Sequence, residues 1–182
     1  MRKIIESTLV SLDGVIGEPH LWAMERFDDD AQREALEGLW ASDAMLMGRR
    51  TYEIFAGVWP ARTRDYAERL NSMRKYVFSS TLQKADWNNS TIIHGDVVTE
   101  ATRLKQQEGQ DLIIYGHGLL GETLLKHHLL DELRFSIQPV IVGQGKLLFR
   151  EGETANLELV SAIPRANGVV VLSYQPAGPA NN

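Results

Sequence analysis

The chain has 182 residues, of which 43% are hydrophobic, and its 24 acidic residues outnumber its 19 lysines and arginines, giving a formal net charge of -5. We expect one domain with a sizeable core, and the acidic total argues against nucleic acid as the main partner, because phosphate binding requires a basic surface. The sequence contains no cysteine, which excludes disulfides, thiolate nucleophiles, iron–sulfur clusters and cysteine-ligated zinc.

The first two thirds of the chain alternate between strand and helix patterns. Residues 3–10 are apolar and predict a strand, and Asp29 or Asp30 then caps a helix that runs to about Ala41. The apolar run 44–47 is typical of a central strand. The pattern then predicts a helical turn over 51–55, a helix over 64–73, strands over 76–78 and 91–94, a helix over 97–108, a strand over 112–115 and a helix from Gly118 to about His128.

The last third has a different pattern. Leu133, Phe135 and Ile137 alternate with polar residues, which indicates a strand with one exposed face, and 157–160 and 169–174 also predict strands. We therefore expect an α/β fold of about eight strands and four helices, with an antiparallel ending on a mostly parallel sheet. A single domain covers residues 1–175, and the small, proline-containing segment 176–182 is predicted to be a flexible tail.

The localisation is predicted from two features that we do not find in the sequence, a signal peptide and a membrane-spanning segment. The first residues carry charges but no apolar stretch of signal-peptide length. No run approaches the roughly 18 apolar residues that a membrane span requires. These features favour a cytoplasmic protein with no membrane partner.

Three short segments follow predicted strands at the edge of the sheet where open α/β folds bind ligands. In the first, Gly48 permits a tight turn into a helix, and Arg49 and Arg50 add charge to the free N–H groups there. With Thr51 they suit a phosphate monoester. Alternatively the arginines are solvated and Thr51 only caps the helix, although cations at a helix N-terminus oppose its dipole.

The other two segments carry weaker signals. Gly116-His117-Gly118 would let backbone approach a diphosphate at a helix N-terminus, but it lacks the full glycine-rich spacing and could be a plain strand–helix turn. The hydroxyls of Ser79 and Ser80 could donate to an anion or simply end a strand.

Two residues outside these segments could face a substrate. Asp13, in Ser11-Leu12-Asp13-Gly14, could hold an amine or transfer a proton, or it could form a turn with Gly14 in the left-handed region. Trp22 could stack on a flat ring or cover the core. The five histidines have no metal-ligand spacing, so we expect no metal.

Taken in order, six segments resemble the dihydrofolate reductase superfamily, and within it the branch that contains the reductase domain of riboflavin biosynthesis. This resemblance covers about residues 2–175 and implies the dihydrofolate reductase-like fold, with a mixed, mostly parallel central sheet, flanking helices and an antiparallel C-terminal hairpin. The segments are Ser11–Gly17, Leu46–Glu53, Lys75–Ser80, Ile113–Leu120, Leu130–Leu133 and Gln138–Gly145.

The resemblance implies that NADPH lies across the carboxyl ends of the strands. By this resemblance, the 2′-phosphate and diphosphate side would contact Gly48, Arg49, Arg50 and Thr51, and the adenine ribose phosphate would be flanked by Ser79 and Ser80. The diphosphate and nicotinamide half would be enclosed by Gly116, His117, Gly118, Leu119 and Leu120. The mobile loop over the nicotinamide would contain Ile16 and Gly17, and Asp13 would border the substrate pocket.

The implied activity is hydride transfer from NADPH to a small pterin-like or pyrimidine substrate resembling 5-amino-6-(5-phosphoribosylamino)uracil. The proton would come from Asp13, from the acidic run Asp28–Asp30, or from water, and within the acidic run we select Asp30. Trp22 would contact the substrate. The chain departs from dihydrofolate reductases at Gln32, which lies nearest the expected pterin-binding carboxylate. An alternative is a non-catalytic NADP(H)-binding or interaction module on the same fold. The resemblance also implies a homodimer through the late antiparallel strands.

Overall fold

A computed structural model of the chain describes residues 1–178, which contain eight strands, five α-helices and two short 3-10 helices at Pro19–Leu21 and Met24–Arg26. The strands are β1 Ile4–Ser11, β2 Ser42–Gly48, β3 Arg74–Phe78, β4 Ser90–Ile93, β5 Asp111–Tyr115, β6 Glu132–Gln138, β7 Leu157–Pro164 and β8 Val170–Pro176. The helices are α1 Asp29–Trp40, α2 Arg49–Val58, α3 Asp65–Ser72, α4 Val97–Gln106 and α5 Leu119–Lys126.

The eight strands form one mixed sheet in the order β4-β3-β2-β5-β1-β6-β8-β7. Strands β1 to β6 pair in parallel, whereas β8 is antiparallel to both β6 and β7. This confirms the predicted fold class, a mostly parallel sheet with flanking helices and an antiparallel C-terminal hairpin. Parallel pairing brings the carboxyl ends of β1, β2, β3, β5 and β6 to one side of the sheet, which we call the carboxyl edge.

The described helices number five rather than about four. Helix α2 begins at Arg49, two residues before the predicted turn, and continues through Gly57 to Val58. Gly48 is the extended N-cap residue of α2, so both arginines lie in its first turn. Helix α4 begins at Val97 as the sequence predicts, and the Asp96 side chain caps it by accepting from the Thr99 N–H. Helix α1 is capped one residue earlier than the predicted Asp29 or Asp30, because it is the Asp28 side chain that accepts from the Ala31 N–H.

Two apolar cores cover the two faces of the sheet. Alternate residues of β5 divide between them, since Leu112 and Ile114 pack beneath α4 and α5 whereas Ile113 packs beneath α1, α2 and α3. The second core also contains a cation: Lys75 in β3 is fully buried, and its ammonium donates to the carbonyls of Asn71, Met73 and Asn88. The same ammonium lies 4.2 Å from the ring centroid of Trp87.

The end of the described chain belongs partly to the sheet. Pro176 is the last residue of β8, and the backbone N–H of Ala177 donates to the carbonyl of Asn156 at 2.8 Å. Of the predicted tail 176–182, residues 179–182 lie outside the described residues. Within residues 1–178, no helix combines the length and the apolar character needed to cross a lipid bilayer.

Candidate functional site

The carboxyl edge brings the Gly48–Thr51 segment next to the loop that follows β3. The Arg49 guanidinium donates to Glu53 Oε1 at 2.7 Å and to Thr81 Oγ1 at 2.8 Å, so it joins α2 to that loop. Ser79 Oγ accepts from the backbone N–H groups of Thr81 and Leu82, which shapes the turn. The Arg50 side chain is exposed and forms neither a hydrogen bond nor an ion pair within residues 1–178.

The loop Gly116–Gly118 follows β5 and leads into α5. Gly116 has a φ of 74°, a left-handed conformation that favours glycine, and its N–H donates to the Ser7 carbonyl at 2.9 Å. Gly118 is the extended N-cap residue of α5. The backbone of this loop is therefore fixed at the end of β5, against the middle of the neighbouring strand β1.

The His117 side chain points away from solvent and lies between two carboxylates. Its Nδ1 is 2.7 Å from Glu6 Oε1 and its Nε2 is 2.9 Å from Glu153 Oε1. Burial disfavours the imidazolium, but the hydrogen bonds and charges of Glu6 and Glu153 outweigh burial and raise the pKa of His117. Burial raises the pKa of Glu6, while its bond to His117 opposes that shift. We call these three side chains the Glu–His–Glu array.

Glycine at position 121 makes room for the Glu–His–Glu array. A Cβ atom there would lie inside van der Waals contact of Glu6 Oε2 and 3.0 Å from His117 Nδ1. Glu6 Oε2 itself is buried without a hydrogen-bond partner. The ring edge of Phe149 packs on His117, with the two ring centroids 5.3 Å apart.

Lys146 connects two of the predicted loops. Its ammonium donates to the His117 carbonyl oxygen, and its own carbonyl accepts from the Ile16 N–H at 2.8 Å. Val15 and Leu147 form an antiparallel bridge beside this contact. Burial, followed by the charge of Arg50, lowers the pKa of Lys146. The Lys146 contacts therefore hold the 15–16 segment against the loop after β5.

Asp13 is fully occupied in a loop contact. Its carboxylate accepts from Ser11 Oγ at 2.6 Å and from the backbone N–H groups of Val142 and Gly143 at 3.1 and 2.7 Å. The Ser11 bond, followed by the two backbone bonds, lowers the pKa of Asp13 to about 2. Gly14 has a φ of 84°, as the turn alternative requires. The ionised carboxylate suits a loop clamp better than a proton donor, and the catalytic assignment of Asp13 stays a prediction.

Asp30 and Trp22 lie in different surroundings. The exposed Asp30 carboxylate in the first turn of α1 pairs with Arg33, and none of its hydrogen bonds among the described residues reaches another predicted site residue. The Trp22 indole N–H donates to the Gly17 carbonyl at 2.8 Å, which places it against the loop at 15–17. The structure thus brings Trp22, but not Asp30, into contact with the predicted site.

Three residues of this edge were missed by sequence reasoning. Glu6 lies within a strand, 111 positions before His117, and Glu153 lies 36 positions after it, so no local motif connects them. Lys146 was missed because it follows Gly145 in a loop without helical or strand periodicity. A surface cleft of about 660 Å³ beside α2 contains none of the predicted site residues.

Comparisons with known proteins agree with this architecture. A family model described as the RibD C-terminal domain matches residues 2–171. The uncharacterized protein YyaP of Bacillus subtilis (strain 168) is 32% identical over 183 residues, covering 95% of this chain and 94% of YyaP. A putative riboflavin biosynthesis protein from Shewanella sp. PV-4 superposes with a TM-score of 0.76 at 19% identity, covering 97% of this chain and 99% of that chain. Dihydrofolate reductase from Enterococcus faecalis, solved with NADP(H), superposes with a TM-score of 0.66 at 15% identity, covering 97% of each chain.

Proposed function

Because the chain belongs to the RibD C-terminal domain family, we propose that it is an NADPH-dependent reductase acting on a small pterin-like or pyrimidine substrate. The family indicates an oxidoreductase. NADPH, when bound, supplies the hydride. The observation that carries the cofactor assignment is the cationic first turn of α2 at the carboxyl edge, with Arg49 already reaching Thr81 of the neighbouring loop.

Arg50 is the strongest sign that this edge fits a phosphorylated nucleotide. It is a cation in the first turn of a helix, where the dipole disfavours positive charge, and no carboxylate pairs with it among the described residues. Anions are favoured at such a position by the free backbone N–H groups as well as by the guanidinium. We expect Gly48, Arg49, Arg50 and Thr51 to hold the 2′-phosphate of NADPH, beside Ser79 and Ser80.

The energy available at this position is sufficient for cofactor selectivity. A hydrogen bond to a charged group contributes about 1.5–3 kcal/mol, so two arginines can favour NADPH over NADH by about a hundredfold. Arg49 already donates to Glu53. Because that bond must be shared or released, we expect Arg50 to supply the larger part of the selectivity.

The nicotinamide half of the cofactor would lie farther along the edge. Gly116, His117, Gly118, Leu119 and Leu120 would line the diphosphate and nicotinamide ribose with backbone groups and the start of α5. Ile16 and Gly17 would cover the ring, and Trp22, bonded to the Gly17 carbonyl, would exclude water and contact the substrate. Asp13 is ionised and Asp30 is paired at the surface of α1, so water is the favoured source of the proton.

We also propose that the chain is a single domain that forms a homodimer. Strand β7 is at one edge of the sheet, and its Leu159, Val160 and Ile163 side chains are exposed. An apolar edge strand pairs readily with another chain. Light scattering should give twice the chain mass, and a monomeric mass would contradict this proposal.

Two measurements test the reductase proposal. Calorimetric titration should give tighter binding of NADPH than of NADH, and equal affinity for the two would contradict the cofactor assignment. Loss of the reduced-nicotinamide absorbance should then be followed with pterin, pyrimidine and carbonyl acceptors. Binding of NADPH without its oxidation by any acceptor would favour the non-catalytic alternative.

A further inference from the structure

The Lys146 ammonium lies at the carboxyl edge, on the side of β5 and β1 rather than on the side of β2 and β3, where Arg49 and Thr81 lie. Arg49 and Thr81 lie at the ends of β2 and β3, whereas Lys146 contacts the loop after β5 and the loop after β1. The two positions are about two strand spacings apart, or about 10 Å. A ligand that reaches both would need anionic groups at two separated places.

The ammonium has capacity left for a ligand. It donates one hydrogen bond, to the His117 carbonyl oxygen, and forms no ion pair within residues 1–178. An ammonium has three donors. A Cβ atom at position 118 would lie 3.4 Å from Lys146 Nζ, in van der Waals contact with it. Glycine at this position therefore leaves that side of the ammonium open.

Lys146 also experiences the charge of a second cation, Arg50. Burial, followed by the charge of Arg50, lowers the pKa of Lys146, while the smaller effects of Glu6 and Glu153 oppose this shift. An anion bound at Lys146 would offset both the burial of the ammonium and the repulsion by Arg50. The arrangement therefore points to an anionic ligand group at this place.

The Glu–His–Glu array holds the carbonyl that orients Lys146. Both ring nitrogens of His117 are bonded to carboxylates, which fixes the ring and with it the backbone of the loop. Glu153 lies seven positions after Lys146, so the array also ties the far end of the 146–153 segment to the loop after β5. Displacing His117 would move the acceptor of the Lys146 hydrogen bond.

We propose that Lys146 binds the phosphate on the nicotinamide side of the NADPH diphosphate, and that the Glu–His–Glu array is its positioning group. This inference rests on the proposed function and adds to it a residue outside the predicted site. Lys146 serves the diphosphate, whereas Arg49 and Arg50 serve the 2′-phosphate. The two cationic sites thereby bind the two anionic parts of one dinucleotide.

Ligand titrations on the full chain separate the two places. Lys146→Met should weaken NADPH binding by about ten- to a hundredfold and leave 2′,5′-ADP, which lacks the nicotinamide-side phosphate, unchanged. Arg49→Ala should weaken binding of both ligands, and Lys146→Arg, which keeps the charge, should retain most of the NADPH affinity. Unchanged NADPH affinity in Lys146→Met, or an equal loss for both ligands, would overturn the assignment.

The positioning role is tested by a double-mutant cycle with Glu153→Gln, which keeps the size of the side chain. Acting through Lys146, this change should weaken NADPH binding in the native background and have little further effect beside Lys146→Met. Equal losses in both backgrounds would overturn the positioning role. Failure of the unmodified chain to bind NADPH would instead contradict the proposed function, so the two failures are distinguishable.

Discussion

Replacing Gly121 with alanine tests the packing of the Glu–His–Glu array directly. The new Cβ would enter the space of Glu6 Oε2 and lie 3.0 Å from His117 Nδ1. Because Glu6 is a fully buried strand residue bonded to His117, it has no solvent to move into. We therefore expect Gly121→Ala to force the buried pair apart or to distort α5.

The expected cost can be worked out from three effects. Overpacking a core costs about 1–3 kcal/mol, and breaking a buried ion pair costs about 3–5 kcal/mol. Alanine in a helix offsets about 1 kcal/mol of this. Because the Cβ would lie well inside van der Waals contact of a side chain with no room to move, we expect the buried pair to break, and the net loss of unfolding free energy should be about 2–4 kcal/mol.

Urea unfolding followed by circular dichroism provides the assay, and Gly38→Ala provides a matched control. Gly38 also lies within a helix, α1, but a Cβ there meets no atom within 4 Å. Gly38→Ala should therefore be neutral or stabilising by up to about 1 kcal/mol. In a Glu6→Ala background the clash with Glu6 is removed and only the 3.0 Å approach to His117 Nδ1 remains, so the loss caused by Gly121→Ala should become much smaller.

A Gly121→Ala variant as stable as the native chain in the presence of Glu6 would contradict the predicted clash. An equal loss with and without the Glu6→Ala change would also contradict it, because the cost would then arise from somewhere other than this contact.

Three further outcomes are expected. Lys75→Met should lower the unfolding free energy by about 1–3 kcal/mol, because it removes the donor of three carbonyls, of which that of Met73 is buried. An unchanged urea midpoint would contradict this. Asp13→Asn should make the unfolding free energy depend less on acid pH. The stabilisation by ionised Asp13 is present above its ordinary pKa of 3.8 and is lost as the pH falls toward about 2. If urea unfolding across that range gave the same pH dependence for the variant and the native chain, Asp13 would have no such role. Arg50→Ala should reduce the NADPH-to-NADH affinity ratio more than Arg49→Ala, because Arg49 is shared with Glu53; calorimetry giving the reverse order would count against this division.

The architecture could be predicted from local patterns of sequence. Apolar runs such as 44–47 mark buried parallel strands, the alternation in 133–137 marks a half-exposed strand, and both were found in those places. The carboxyl edge was also predictable, because parallel strands bring their ends together whatever their order in the sheet. The start of α4 was accurate, and the cap of α1 lies one residue before the predicted one, at Asp28, because any residue of an aspartate run can cap a helix. Helix α2 began earlier than predicted because Gly48 and the arginines provide no side-chain cap.

What the sequence by itself determined was the class of fold and the segments that line one edge of the sheet, since both depend on periodicity and on contacts between near neighbours. Only the tertiary structure decided that Glu6 and Glu153 enclose His117, and that Lys146 donates to its carbonyl. These partners come from separate elements, and a buried charge can be recognised only when the groups that surround it are known. The same reason changed the interpretation of Asp13, because its pKa is lowered first by the nearby Ser11 hydroxyl and then by backbone donors 129 and 130 positions away.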